Sequence, residues 1–353
     1  MERCPYYSDY LHLDQLLDAQ ELESAKPGSM AAHDEMMFIV IHQTYELWFK
    51  QIIVEVDSVI EIMRKPTLDD NSPELQTIVH RLNRVVSILE ILVHQIDVME
   101  TMTPMDFLDF RDLLTPASGF QSWQFKALEA KLGLKYEHRY GQEYYLSQLQ
   151  PPHIDLIKNA EKGKSILELI NTWLERMPFF DTDTYWKNYP SISKKRDSHP
   201  FWADYEQINI DNLSAAEKNN IEFFKTAFRD TAVTAERQLS PKACRSALFI
   251  MLYRGYPMLE LPFQLLHVLL EIDNQLGSWR YRHLNMVRRT IGSRMGTGGS
   301  NGAGYLKGAM DKHYIFNELA QLNSFLIKRQ KLPPLPEDLT QKLGYHFYAN
   351  NPV

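Results

Sequence analysis

Cysteine is nearly absent from this chain: Cys4 and Cys244 are the only two in 353 residues. So far apart, they exclude a disulfide framework or a zinc ribbon and suit a reducing compartment. Surplus positive charge is missing too. With 38 Lys and Arg against 45 Asp and Glu, the formal net charge is -7. No long basic run offsets that balance, which argues against a nucleic-acid partner. No uninterrupted apolar run reaches the roughly 18 residues of a membrane span. The longest candidate, LELPFQLLHVLLEIDNQL, is broken by Glu260, Pro262, His267 and Glu271. The opening residues, MERCPYYSDY, lack the apolar core of a secretory signal, so a cytoplasmic protein is expected. Two metal motifs are absent as well. HExxH does not occur, and none of the 12 histidines follows a glutamate by three residues, the spacing a helical-bundle di-iron site needs.

What is present is helical almost throughout. Leu75, Ile78, Leu82, Val85, Leu89, Leu92, Ile96 and Met99 alternate steps of three and four, the seam of a packed bundle helix. Ser72 and Pro73 mark its start, because serine caps orphan amides and proline fits a first turn. Residues 36–63 are apolar nearly all round and stop at Lys65 and Pro66. Further helices are expected over 165–177, 215–228, 261–291 and 305–328, and from Pro241 behind a Ser240 cap. Strand-like alternation is scarce and internal repeats are absent. The expected fold is therefore all-α, a helical bundle in a single domain over residues 1–353. Residues 140–240 read as a more irregular helical excursion, above all the polar part over 181–212.

Three blocks carry chemistry. In residues 33–50, HDEMMFIVIHQTYELWFK, Phe38 and His42 stand four apart on one helical face. A histidine in so apolar a helix costs desolvation unless its nitrogens find partners. A substrate N–H in a dry pocket is one such partner; a neighbouring carbonyl is the plainer one. In residues 100–125, ETMTPMDFLDFRDLLTPASGFQSWQF, Phe107 and Arg111 repeat the four-residue spacing. Arginine offers a two-pronged donor for a carboxylate, and an aromatic beside it suits a flat organic ligand. A solvent salt bridge to Asp109 or Asp112 is the plainer use. Ser118 and Gly119, in the turn that follows, can bring backbone close to a ligand.

The third block, residues 279–306, reads WRYRHLNMVRRTIGSRMGTGGSNGAGYL. His283 lies in its helical part, and a glycine-rich loop with Gly296, Thr297, Gly298 and Gly299 follows. A buried helical imidazole is the usual proximal ligand of a heme iron, although many such histidines are only hydrogen-bonded core residues. The glycines let backbone amides and the Thr297 hydroxyl approach a small ligand, although GTGG lacks the spacing of a nucleotide-binding loop. Taken together, the blocks offer an imidazole for iron, an aromatic slot, a carboxylate clamp and a hydroxyl. That inventory suits an aromatic amino acid lying over a heme.

These blocks, with YSDYLHLDQLLDAQ near the start and LELINTWLERMP in the middle, resemble the signatures of the tryptophan 2,3-dioxygenase family along nearly their whole length. The resemblance covers essentially the full chain and is weakest over 181–242 and at the C-terminal end. It implies a helical bundle enclosing one heme b per subunit in an intertwined homotetramer. It implies a dioxygenase that uses O2 to convert L-tryptophan to N-formyl-L-kynurenine, the first step of the kynurenine pathway. By position, His283 matches the proximal iron ligand and His42 the distal histidine that meets the indole N–H. Arg111 matches the grip on the substrate carboxylate, Phe38 and Phe107 the indole slot, and Thr297 the group that meets the substrate ammonium beside a heme propionate. Leu114 and Ser118 match secondary pocket positions, and Gly119 approaches the cofactor. Tyr7 and Tyr10 match a pair that closes a neighbouring subunit's active site. The loop departs from the family in carrying Asn301 where a second serine is common, and Arg288 stands where some relatives have another histidine. A heme monooxygenase acting on a tryptophan-like substrate is the nearest alternative, and a non-enzymatic heme or tryptophan sensor a more distant one.

Overall fold

Capping chemistry sets the ends of the elements that frame the cavity. In the computed structural model the described residues are 4, 6–26, 28, 30–68, 72–181, 184–193, 199–214, 217–229, 237–296 and 302–344. Every regular element among them is helical. Two short helices, α1 (Tyr7–Leu11) and α2 (Leu13–Leu17), precede the long pair α3 (His33–Met63) and α4 (Pro73–Met99). Ser72 accepts the Leu75 amide at 3.3 Å with Pro73 in the first turn, so α4 starts where its sequence pattern says. The seam from Leu75 to Met99 is buried at every expected position. α5 (Pro104–Arg111) begins with a capping box, Thr103 and Asp106 each bonding the other's amide. That cap fixes the helix in register, and Arg111 is its last residue.

α6 (Trp123–Leu132) starts behind Ser122 and stops at Gly133, whose φ of 146° suits only glycine. It is followed by α7 (Gln142–Ser147), α8 (Pro151–Lys162), α9 (Ile166–Glu175), α10 (Pro200–Asn212), α11 (Asn220–Phe228) and α12 (Pro241–Tyr253). The longest helix, α13 (Pro257–Ile291), lies along α4, and α3 packs on α4 and α6. α14 (Gly302–Lys312) returns against α13, and α15 (Asn317–Gln321) and α16 (Glu337–Lys342) complete the chain.

Among the described residues of 140–240, several expected to be irregular are helical. α10 occupies the polar stretch expected to be irregular, because Phe201, Trp202 and Tyr205 are buried while Asp204 collects the amides of Ile192 and Ser193 at 3.0 and 2.6 Å. The helix expected over 305–328 is broken instead. Buried Asp273 accepts the Ile315 and Phe316 amides at 3.0 and 2.5 Å and turns the chain between α14 and α15. α13 begins four residues earlier than expected and runs through Pro262, whose missing donor falls in the second turn. No helix among the described residues is long and apolar enough to cross a membrane.

Candidate active site

α3, α4, α5, α6, α13 and α14 line a cavity of about 310 Å³. Phe38 and His42 reach it from α3, Phe107 and Arg111 from α5, Ser118 and Gly119 from the turn, His283 from α13, and Gly296 from the edge of the glycine-rich loop. The sequence-expected pairs thus meet in one place. Phe38 and His42 rings lie 4.1 Å apart, and Phe38 is 5.7 Å from Phe107. Phe110, fully buried behind them, meets Phe107 edge-on at 5.5 Å. Leu114 packs on this aromatic cluster rather than lining the cavity. Tyr7 and Tyr10 are 71% and 73% exposed on α1 and do not reach the cavity of their own chain. Thr297, with Gly298, Gly299 and Asn301, lies outside the described residues.

His42 lines the cavity with its side chain still accessible, and desolvation there lowers its pKa. Its Nδ1 stands 2.7 Å from the Phe38 carbonyl. A carbonyl only accepts, so in the neutral ring Nδ1 carries the proton and Nε2 is left as an acceptor. The plainer carbonyl partner expected for this histidine exists, and it orients the other nitrogen for a ligand N–H.

His283 is held differently. Its ring stacks on Trp279 at 5.0 Å and 4°, and Trp279 is wedged between Tyr45 and Phe125. Nδ1 is buried without a hydrogen-bond partner, and burial pushes the pKa down to about 4, with His42 adding to the effect. The imidazole is therefore neutral at physiological pH, the state in which it binds a metal. Among the described residues no three His, Cys, Asp or Glu gather as a metal cluster. A metal here must bring most of its own ligands, as porphyrin iron does, and needs a single imidazole from the protein. The donor set fits that group.

Arg111 donates from Nη2 to the Met295 carbonyl, just before the glycine-rich loop, rather than to Asp109 or Asp112. Its fork thus ties α5 to the loop at the cavity edge. One set of lining residues escapes sequence reasoning altogether: Lys126, Glu129, Arg139 and Arg280, all buried. The available signal was charge inside apolar helices, at 126 and 129 in α6 and three residues before His283 in α13.

An all-helical frame around one aromatic cavity, with a neutral imidazole ready for a cofactor metal, is the construction of a small-molecule enzyme. The family model described as Tryptophan 2,3-dioxygenase matches residues 1–326. Tryptophan 2,3-dioxygenase of Alteromonas mediterranea is 41% identical, covering 98% of each chain. That of Bdellovibrio bacteriovorus is 40% identical over 97% of this chain and 98% of its own. That of Dictyostelium discoideum is 42% identical over 96% of this chain and 88% of its own. The chain belongs to the tryptophan 2,3-dioxygenase family. It is an oxidoreductase of the dioxygenase type, and the monooxygenase alternative is not favoured.

Proposed function

We propose that this protein is a heme-dependent tryptophan 2,3-dioxygenase that adds both atoms of O2 across the indole C2–C3 bond of L-tryptophan to give N-formyl-L-kynurenine, opening the kynurenine pathway. The observation that carries this is a pair of histidines, His42 and His283, which line one aromatic cavity from different helices, with burial lowering the pKa of each. His283 is the residue that would hold the iron of heme b. When bound, the heme supplies the activation of O2, for which no side chain has the chemistry.

The chain's own groups bind, orient and exclude water. Phe38 and Phe107 form the slot for the flat ring. His42 accepts the indole N–H at Nε2 while Nδ1 stays committed to the Phe38 carbonyl. An indole N–H is too weak an acid to need removal, so the role of His42 is orientation. Arg111 exchanges the Met295 carbonyl for the substrate carboxylate, a stronger charge-assisted partner. Thr297 takes the ammonium, Ser118 completes the pocket wall, Leu114 backs the aromatic slot from behind, and Gly119 lets the cofactor edge approach.

The enzyme acts as a cytoplasmic homotetramer in which Tyr7 and Tyr10 close a neighbouring subunit's cavity. Their exposure supports this, as does an uncovered apolar stripe of Met36, Val40, Leu47 and Val54 on α3. The test is a spectrum of the purified protein reduced with dithionite in the presence of tryptophan, then product mass under labelled O2. A heme Soret band and two labelled oxygens in the product are expected. A colourless protein, or a product with one labelled oxygen, overturns the reading.

A further inference from the structure

Beyond the groups that meet the substrate, the cavity has a charged wall that the reaction leaves unused. Lys126 and Glu129 on α6, Arg139 beyond that helix and Arg280 on α13 are only 3% to 8% exposed. Glu129 is shared by both arginines: Oε2 accepts Arg139 Nη1 at 2.6 Å, and Oε1 accepts Arg280 Nη2 at 2.7 Å. Each guanidinium spends a further donor on backbone, Arg139 on the Lys126 carbonyl at 3.0 Å and Arg280 on the His313 carbonyl at 2.9 Å.

Lys126 is left over. Its ammonium donates to the Phe120 carbonyl, next to Gly119, and that accounts for one of three donors. Glu129 is already divided between two arginines. Glu46 acts on Lys126 through space, but its carboxylate is held by Gln124 at 2.8 Å. Burial outweighs the pull of both carboxylates and brings the lysine pKa down to about 8. A buried ammonium in a cavity wall is costly unless an anion joins it.

We propose that Lys126 seats a carboxylate of the group that fills the cavity, one of the two propionates of the porphyrin whose iron His283 would hold. This rests on the heme reading above. Arg280 lies three residues before His283, so the charged wall and the imidazole share one helical turn. A flat macrocycle held by His283 would meet that wall with an edge. Glu129, Arg139 and Arg280 are positioning residues. They hold α6 against α13 and clamp the Lys126 backbone, which fixes where the ammonium stands.

The experiment titrates heme-free protein with ferric heme and with its dimethyl ester, in which both carboxylates are blocked, following the Soret band. Heme should bind the wild type at least about tenfold tighter than the diester. Lys126→Met should weaken heme about tenfold and leave the diester unchanged, while Lys126→Arg should keep the wild-type ratio. Equal affinity of the wild type for both ligands, or a heme-to-diester ratio unmoved by Lys126→Met, overturns the proposal and leaves the heme reading standing. A wild type that binds neither ligand overturns both. If Lys126→Met fails to fold, equal affinity of the wild type for the two ligands still overturns the proposal, and Lys126→Arg keeping the ratio still supports it.

Discussion

His283, half-buried, and His313, buried, are both desolvated, which brings the pKa of each down to about 4. Around His313 the protein holds the ring and its backbone. Nε2 accepts the Tyr140 amide at 3.0 Å, Nδ1 lies 3.9 Å from Glu129, and the backbone carbonyl takes Arg280 at 2.9 Å. Around His283 there is a stacked indole and a cavity, with Nδ1 unanswered. Both rings line the cavity, but the fold holds one by its ring nitrogen and leaves a nitrogen of the other without a partner. A lowered pKa thus marks burial; the missing partner marks the functional group.

The largest effect expected is at His283. His283→Ala should abolish the Soret band and turnover while changing the unfolding free energy of heme-free protein little, because an orphaned nitrogen leaves with the ring. His313→Ala should do the reverse, costing stability in the heme-free protein. Denaturant unfolding of the two variants side by side checks this, and equal destabilisation would erase the contrast.

Next comes the cluster around Glu129. Glu129→Gln strands two guanidinium groups and should destabilise by roughly 3–5 kcal/mol, read from the same curves. Its pH dependence has a definite sign. Burial works against the Glu129 carboxylate, but Arg139 and Arg280 outweigh it and hold it at about 2, below the ordinary 4.5. Its contribution is therefore complete above pH 4.5 and is lost as pH falls toward 2, on the order of 3 kcal/mol in all. His313, held at about 4 instead of 6.5, binds fewer protons folded than unfolded, so stability also falls from pH 6.5 down to about 4. Unfolding curves across this range should show both losses in the wild type, and only the upper one in Glu129→Gln.

Arg111→Lys keeps the charge and loses the fork. A drop of roughly 2–5 kcal/mol in transition-state binding, about 30- to 4000-fold in kcat/KM, is expected. Normal turnover by that variant would remove Arg111 from the clamp. His42→Ala should have the smallest effect, about 1–2 kcal/mol or roughly 5- to 30-fold in kcat/KM, because it loses one neutral hydrogen bond. Complete inactivity with heme and substrate still bound would make His42 more than an orienting group.

The four-residue spacings of Phe38 with His42 and Phe107 with Arg111 were legible, since a helix places such residues on one face whatever surrounds it. The Ser72 cap and the α4 seam were legible for the same reason. α10 was not, because Asp204 and its polar neighbours look like loop until Phe201 and Tyr205 are seen to be buried beside them. The turn at Ile315 escaped too, since its cap is Asp273, 42 residues away. Leu114 was expected at the pocket and packs one step behind it.

By itself the sequence determined what neighbours within one helical turn can decide: helix faces, caps, the spacing of the site residues and the resemblance they carry. Tertiary structure alone decided which charges are answered. Glu129 and Arg280 stand 151 residues apart, and only packing brings them together, ties down the His313 ring and leaves a nitrogen of His283 without a partner. Electrostatic and hydrogen-bond partners depend on distance in space and on the exclusion of water, and neither is written in the spacing of residues along a chain.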